Sequence, residues 1–307
     1  MKRLFDWVLA ILTAPMFVGC GADFDPGSRV VGTRVVAVVV DQPYAHPGET
    51  VKVDAQALDT LGRPLEWGFV TCFAPRATTP FACFQKIAED AAGGTLPALT
   101  IGPSNTYSYT VPTDALTRLP VEARPSAYVG VLIVTCPGKI QPGDTQGLPL
   151  ACVADGRALR LDEFEVGVKR VFLREKDRNQ NPVIAKVNWD GVEWPEGEVK
   201  EVSPCGSSTE NRYDRCDGGE KHVVAAILGA GVRETGTDEL GNPFTEDVAI
   251  QHYATEGLFE YDARIGDRPE TGWVARAGAS GKTVTLWFVA RDNRGGVGWT
   301  SRRVKVR

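Results

Sequence analysis

From residue 34 onward, apolar and polar residues alternate in short runs broken by turn-forming glycine, proline, asparagine and aspartate. Val51, Val53, Ala55 and Ala57 fall on one parity and Lys52, Asp54 and Gln56 on the other. That period of two predicts a strand with one dry face. Pro47-Gly48 precedes this strand, and Leu61-Gly62-Arg63-Pro64 leads into another over 65–70. Runs over 34–40, 107–111, 128–135 and 159–168 complete a first set of predicted strands. A second set covers 169–173, 183–189, 192–194, 223–228, 258–265, 284–290 and 298–306. Asp190-Gly191 joins two of these, and Asp-Gly is a pair that tight hairpins favour. In the closing pair Val284, Leu286 and Phe288 share one face with Trp287 on the other, and 292–296 turns the chain back. Only 86–92 and 113–116 read as helical, each too short to be stable alone. The pattern predicts an all-β protein built as two β-sandwiches.

The first thirty residues break this pattern. Lys2 and Arg3 precede an apolar run over 8–18 that ends in Gly19-Cys20, the layout of an export signal. The run spans only about 16 Å as a helix, whereas a bilayer core needs roughly 20 residues, and Pro15 interrupts it. Phe17-Val18-Gly19-Cys20 resembles the lipobox of bacterial lipoproteins, with Phe17 where leucine is commonest. The resemblance implies cleavage before Cys20, a diacylglycerol on its sulfur and acylation of its new amino group. Two or three acyl chains, at about 0.8 kcal/mol per buried CH₂, anchor a protein firmly. Gly21, where aspartate would signal inner-membrane retention in such proteins, favours the outer membrane. The alternative is an ordinary secretory signal with a chance cysteine. The chain therefore divides into a signal over 1–19, a lipid-anchored tether over 20–30 and two sandwich domains over 31–168 and 169–307.

Composition narrows the partners. The formal net charge of -5 is spread along the chain without a basic block, which argues against nucleic acid. Besides Cys20 there are Cys72, Cys83, Cys136, Cys152, Cys205 and Cys216. An even number in an exported chain reads as disulfides. Local pairing of neighbours is the first expectation, since each closed loop contributes roughly 3 kcal/mol in the chain-entropy model. Pairing of Cys72 or Cys83 with Cys136 or Cys152 is the alternative. Zinc is disfavoured, because Cys-x-x-Cys is absent and histidine is scarce.

Two segments echo each other. Pro47-Gly48-Glu49-Thr50-Val51-Lys52-Val53 resembles Glu196-Gly197-Glu198-Val199-Lys200-Glu201-Val202, which suggests two copies of one fold joined stiffly near Val168. Together with Asn181-Pro182-Val183-Ile184 and the segment 286–297, the first echo segment makes the chain resemble immunoglobulin-like repeats of bacterial surface proteins, above all lipoproteins of Gram-negative soil bacteria. The resemblance implies a fold and an address rather than a reaction.

Candidate chemistry is sparse. Arg276 through Thr283 superficially suggests a phosphate loop, but Arg276 stands where glycine is required and a strand follows where a helix is needed. His46, His222 and His252 are the only histidines, and no serine elbow accompanies them. Asp162, Glu163 and Glu165, and separately Glu256 with Glu260, are the carboxylates placed for glycoside chemistry, though on a β-sandwich such acids more often form the solvated sheet face. Oxygen ligands in 177–181, and at Asp214 and Asp217, make calcium conceivable. Trp189, Trp194, Trp273, Trp287 and Trp299 are either core or a sugar-stacking face.

The resulting expectation is a membrane-anchored envelope lipoprotein, non-enzymatic and without metal or cofactor, acting as a binding or structural module. Its partners would be the membrane through the anchor and an envelope protein or glycan. An accessory subunit of a transport, motility or secretion machine is the alternative, followed by a glycan-active envelope enzyme. The polar segment from Cys205 to Cys216 is expected to project into solvent.

Overall fold

A computed structural model describes residues 26–73, 82–94, 99–145, 148–206, 213–216, 220–237 and 242–307. Cys20 and the lipobox-like residues lie outside them. The protein is all-β, and two immunoglobulin-like sandwiches account for most of it.

In the first sandwich, β1 (Thr33–Val40), β3 (Thr50–Asp59) and β6 (Thr106–Thr110) form one sheet in the order β1-β3-β6. The facing sheet contains β2 (Tyr44–Ala45), β11 (Glu165–Leu173), β7 (Tyr128–Cys136), β4 (Glu66–Phe73) and β5 (Thr100–Gly102), in the order β2-β11-β7-β4-β5. The alternation read in β3 holds: Val51, Val53 and Ala55 are buried, while Lys52 is exposed. They meet Trp67, Phe69, Val129, Val131 and Ile133 in the core.

Strand β7 is buried along its whole length. Its odd-numbered residues face that core. Its even-numbered side chains, Tyr128, Leu132, Val134 and Cys136, face a second apolar cluster on the other side of the sheet. That cluster lies beneath a third layer, made of helix α1 (Ala82–Ala92) and a small sheet of β8 (Lys139–Thr145), β9 (Leu148–Ala154) and β10 (Arg157–Ala158). Two disulfides fasten it, Cys72–Cys83 and Cys136–Cys152. With Cys205–Cys216 in the second half, all three pairs are the local ones.

The second sandwich packs β12 (Ile184–Trp189), β13 (Val192–Glu193), β15 (His222–Leu228), β19 (Leu258–Phe259) and β21 (Glu270–Val274) against β14 (Val199–Val202), β18 (Val248–Ala254), β20 (Ala263–Ile265), β22 (Thr283–Asp292) and β23 (Val297–Val306). The sheet orders are β13-β12-β15-β21-β19 and β14-β23-β22-β18-β20. A separate hairpin joins β16 (Thr235–Thr237) to β17 (Pro243–Thr245). Trp194, Trp273, Leu286, Phe288 and Ile250 fill the core.

Both sandwiches share a strand plan. In each, a short strand, β2 or β14, runs parallel to the last strand, β11 or β23. The last strand pairs antiparallel with the one before it, and that one with β4 or β18. The sequence echo does not follow this plan. Val51 and Val53 lie in β3, whereas Val199 to Val202 form β14, the counterpart of β2. The copies are real in topology, but the echo joins strands that are not equivalent.

Three further expectations need correction. The division near Val168 falls inside β11, which pairs with β7 without a break from Glu165↔Thr135 to Phe172↔Tyr128. The first sheet therefore ends at Leu173, and the stretch read as one strand over 159–168 is a turn followed by the start of β11. The helix begins earlier than expected, at Ala82, while 113–116 is a turn. The end of the tether is not free: Val30 N donates to Ala254 O and Ala254 N to Ser28 O, both at 2.8 Å. Ser28 and Val30 are buried there.

Gly130 of β7 lies directly under the Cys72–Cys83 disulfide, where a Cβ would stand 1.9 Å from Cys83 Sγ. Gly130→Ala should therefore lift the third layer and cost about 1–3 kcal/mol as overpacking. Urea unfolding with the disulfides intact measures this, and an unchanged midpoint would show that the layer docks elsewhere.

Candidate functional site

A connected set of polar side chains lies where the two sandwiches meet. Outward-facing residues of β22 and β23, Trp287, Val289, Val297 and Trp299, pack with Tyr253 of β18 against Ala37 and Val39 of β1. The parity that put Trp287 opposite Leu286 and Phe288 is correct. The face it occupies is covered by the first sandwich instead of being open to a sugar. Trp189, Trp194 and Trp273 are buried in the second core.

The turn from β22 to β23 reaches into the first sandwich. Asp292 Oδ1 accepts from Arg294 N at 2.8 Å and Gly296 N at 2.7 Å, which shapes the turn. Gly295 has φ +99°, a conformation that L side chains rarely adopt, and faces Phe172. A Cβ on Gly298 would lie 1.9 Å from Pro182 O, so glycine is required for that approach.

This turn presents Arg294. Its guanidinium lies between two rings, 4.7 Å from the Tyr44 centroid in the first sandwich and 4.5 Å from that of Phe244 in the second. Its Nε donates to Tyr44 Oη at 3.2 Å, one terminal nitrogen to Glu234 at 3.0 Å and Glu246 at 3.1 Å, and the other to Arg178 O at 3.3 Å. Glu246 is fully buried. Burial raises its carboxyl above the ordinary range, against the hydrogen bond from Glu234 N and the attraction of Arg294.

The linker supplies the remaining clamps. Asn181 Nδ2 donates to Val40 O at 2.7 Å, and its Oδ1 accepts from Val297 N at 2.9 Å, so one side chain spans both sandwiches. Asn179 Nδ2 donates to Asp292 at 3.3 Å. Arg178 forms a two-pronged pair with Glu49, and that bond holds the Glu49 carboxyl at about 2. Lys169 Nζ donates to Gly295 O at 2.6 Å. Burial, with repulsion from Arg291, brings this amine down to about 8. Arg291 in turn donates to Val36 O at 3.2 Å and Gln251 at 2.7 Å. A cavity of about 190 Å³ between β1, β11 and Arg291 contains Glu165 and Lys169, smaller than an ordinary small-molecule pocket of roughly 300–1,000 Å³.

No family model matches the chain, and no curated protein matches it by sequence. Solved structures overlap with it loosely. Tandem Ig repeats of Dlar are 8% identical, covering 91% of this chain and 99% of that one at a TM-score of 0.26. The Yersinia pseudotuberculosis adhesin InvE is 10% identical over 89% of this chain and 58% of its own, at 0.21. The D0-D1 domain of Intimin is 8% identical over 88% and 98%, at 0.22. Overlaps this loose carry no argument about partner or activity.

The remaining candidate residues are dispersed. His46 meets Asp177 O at 3.2 Å, His222 meets Asp190 at 2.9 Å and stacks on Trp189, and His252 is buried against Phe259 and Phe288. Burial lowers the His252 imidazole to about 4. Glu163 pairs with Arg157, Asp162 with Arg160, and Glu165 accepts from Val35 N at 3.2 Å. Glu163 precedes β11, so it does not share a strand face with Glu165. Glu256 pairs with Arg29 and Lys282. The stretch 276–283 is a turn leading into β22, without a helix after it.

Among the described residues, one group of metal-ligating atoms converges: Cys205, Cys216 and Glu220. Both sulfurs are spent in a disulfide. Asp217 lies outside the described residues, and Asn179 and Asn181 are engaged as clamps. The Cys205–Cys216 segment is not wholly in solvent: both cysteines are buried, and Tyr213 packs with them on Leu258 and Val274. The middle of that segment, 207–212, lies outside the described residues.

Arg294→Met should leave Glu246 buried without its counter-charge and cost roughly 3 kcal/mol at pH 7. Glu246 already binds its proton more tightly in the folded state than in the unfolded one, so protonation favours folding as pH falls. The deficit should therefore shrink between pH 7 and pH 5, and Glu246→Gln in the same chain should restore much of it. Chemical denaturation at both pH values tests this, and a pH-independent deficit would contradict the assignment.

Proposed function

We propose that this chain is a lipid-anchored protein of a bacterial cell envelope, serving as a non-catalytic binding or structural module. The junction is the observation that carries the structural half of this reading. Arg294 and Arg178 are paired with carboxylates, Lys169 and Arg291 are held by backbone and amide oxygens, and the apolar face is covered, so the junction's chemistry goes into fixing one sandwich against the other. Glu246, Glu49 and Glu163 each have an arginine partner, which suits bracing better than proton transfer. The export signal and the lipobox-like Cys20 support the address. Recognition then falls to surfaces presented by this rigid frame, and the disulfide-fastened third layer is the feature that distinguishes the first sandwich from the second.

Mass spectrometry of the mature N-terminus should find an acylated Cys20. Cys20→Ala should leave the precursor uncleaved or move the protein out of the membrane fraction. An unmodified N-terminus at another residue would overturn the anchor.

A further inference from the structure

The first described residues lie against the second sandwich, not at a remote tip. Ser28 and Val30 bracket Ala254 through two backbone hydrogen bonds, and a Cβ on Gly27 would lie 3.8 Å from Asp262 Oδ2. Six residue steps separate Cys20 from Pro26, a reach of about 22 Å at full extension. A lipid on Cys20 therefore holds this flank close to the bilayer.

The flank carries exposed apolar groups. Val31 is 56% exposed. Beside it, Gly32 N donates to Thr60 Oγ1 at 2.9 Å and Thr60 N to Gly32 O at 3.0 Å. That pairing places Leu61, 73% exposed, at the same corner. Next to Asp262 is Tyr261, 45% exposed, with the Arg264 guanidinium 4.3 Å from its ring centroid. Aliphatic tips beside an aromatic ring and a cation suit the boundary between headgroups and acyl chains.

Resting on the lipid anchor proposed above, we infer that the flank bearing Val31, Leu61 and Tyr261 lies against the phospholipid surface, so that the molecule is held side-on. Val121 provides the contrast. It is 71% exposed but lies towards the other end of β3, where Thr50 pairs with Thr110 and the chain continues into Leu116. The rise of a strand places the two ends of β3 about 30 Å apart.

The test uses the full-length lipidated protein on vesicles of phosphatidylcholine and phosphatidylglycerol, with a nitroxide on Leu61→Cys or on Val121→Cys. Acylation is read first by mass spectrometry and membrane association by flotation. On vesicles, the label at 61 should lose about three-fold or more of its accessibility to a water-soluble nickel chelate, as interfacial burial requires, while the label at 121 changes little. Equal accessibility of both labels on an acylated, floating protein would overturn the orientation and leave the anchor intact. Shielding of position 61 without vesicles would assign the patch to a second copy of the chain and also overturn it. A protein that neither carries the lipid nor floats would remove the anchor and this orientation together.

Discussion

A fully buried carboxylate, that of Glu246, sets the terms for the contact between the two sandwiches. Taking a carboxylate out of water costs several kcal/mol unless a partner offsets it. Here the partner is Arg294, delivered by a turn whose shape Asp292 fixes. The guanidinium must stay within reach of the Tyr44 and Phe244 rings while reaching two carboxylates and a carbonyl. Few relative placements of the two sandwiches satisfy all of these contacts at once. The ion pair thus contributes specificity of arrangement more than net stability, and the closed apolar face around Trp287 and Val289 supplies the attraction.

Much of the fold was legible because one-sided strands alternate. β3 has one face on a core, and its parity was readable residue by residue; in β22 the parity also held, although its outer face, with Trp287 and Val289, is covered by the first sandwich. β7 was harder to interpret. Its run Tyr-Val-Gly-Val-Leu-Ile-Val-Thr-Cys has no polar parity, which is the signature of burial on both faces. In an expected two-layer sandwich that absence looks unremarkable. In the structure it marks the third layer, and Gly130 and Cys136 mark where that layer is fastened. The local disulfides were readable for a related reason: each closes a short loop at the edge of an element, which needs no knowledge of the fold.

The junction was only half legible. The 292–296 turn and the 177–181 linker stood out by composition, as a hairpin turn and as possible calcium ligands. Their actual use depends on partners more than 100 residues away, such as Asn181 with Val40 and Arg294 with Tyr44. Sequence spacing carries no signal for such contacts. The Val168 boundary failed for a similar reason. A strand that closes one sandwich resembles a strand that opens the next, and only its pairing with β7 decides.

The path of the chain explains why the junction is braced rather than hinged. Residues 28–30 pair with the second sandwich at Ala254 before the chain enters β1. The chain returns to the second sandwich through Asn181, which holds the far end of β1 at Val40. The first sandwich is thus attached to the second at both ends of β1, points about 25 Å apart at the rise of a strand. A single linker would leave a hinge about one point. With two, rotation has to break the Ser28–Val30 pairing or the Asn181 clamp, and slide Ala37 and Val39 off Val289 and Val297. Such a frame carries a displacement at Ser28–Val30 into both sandwiches together.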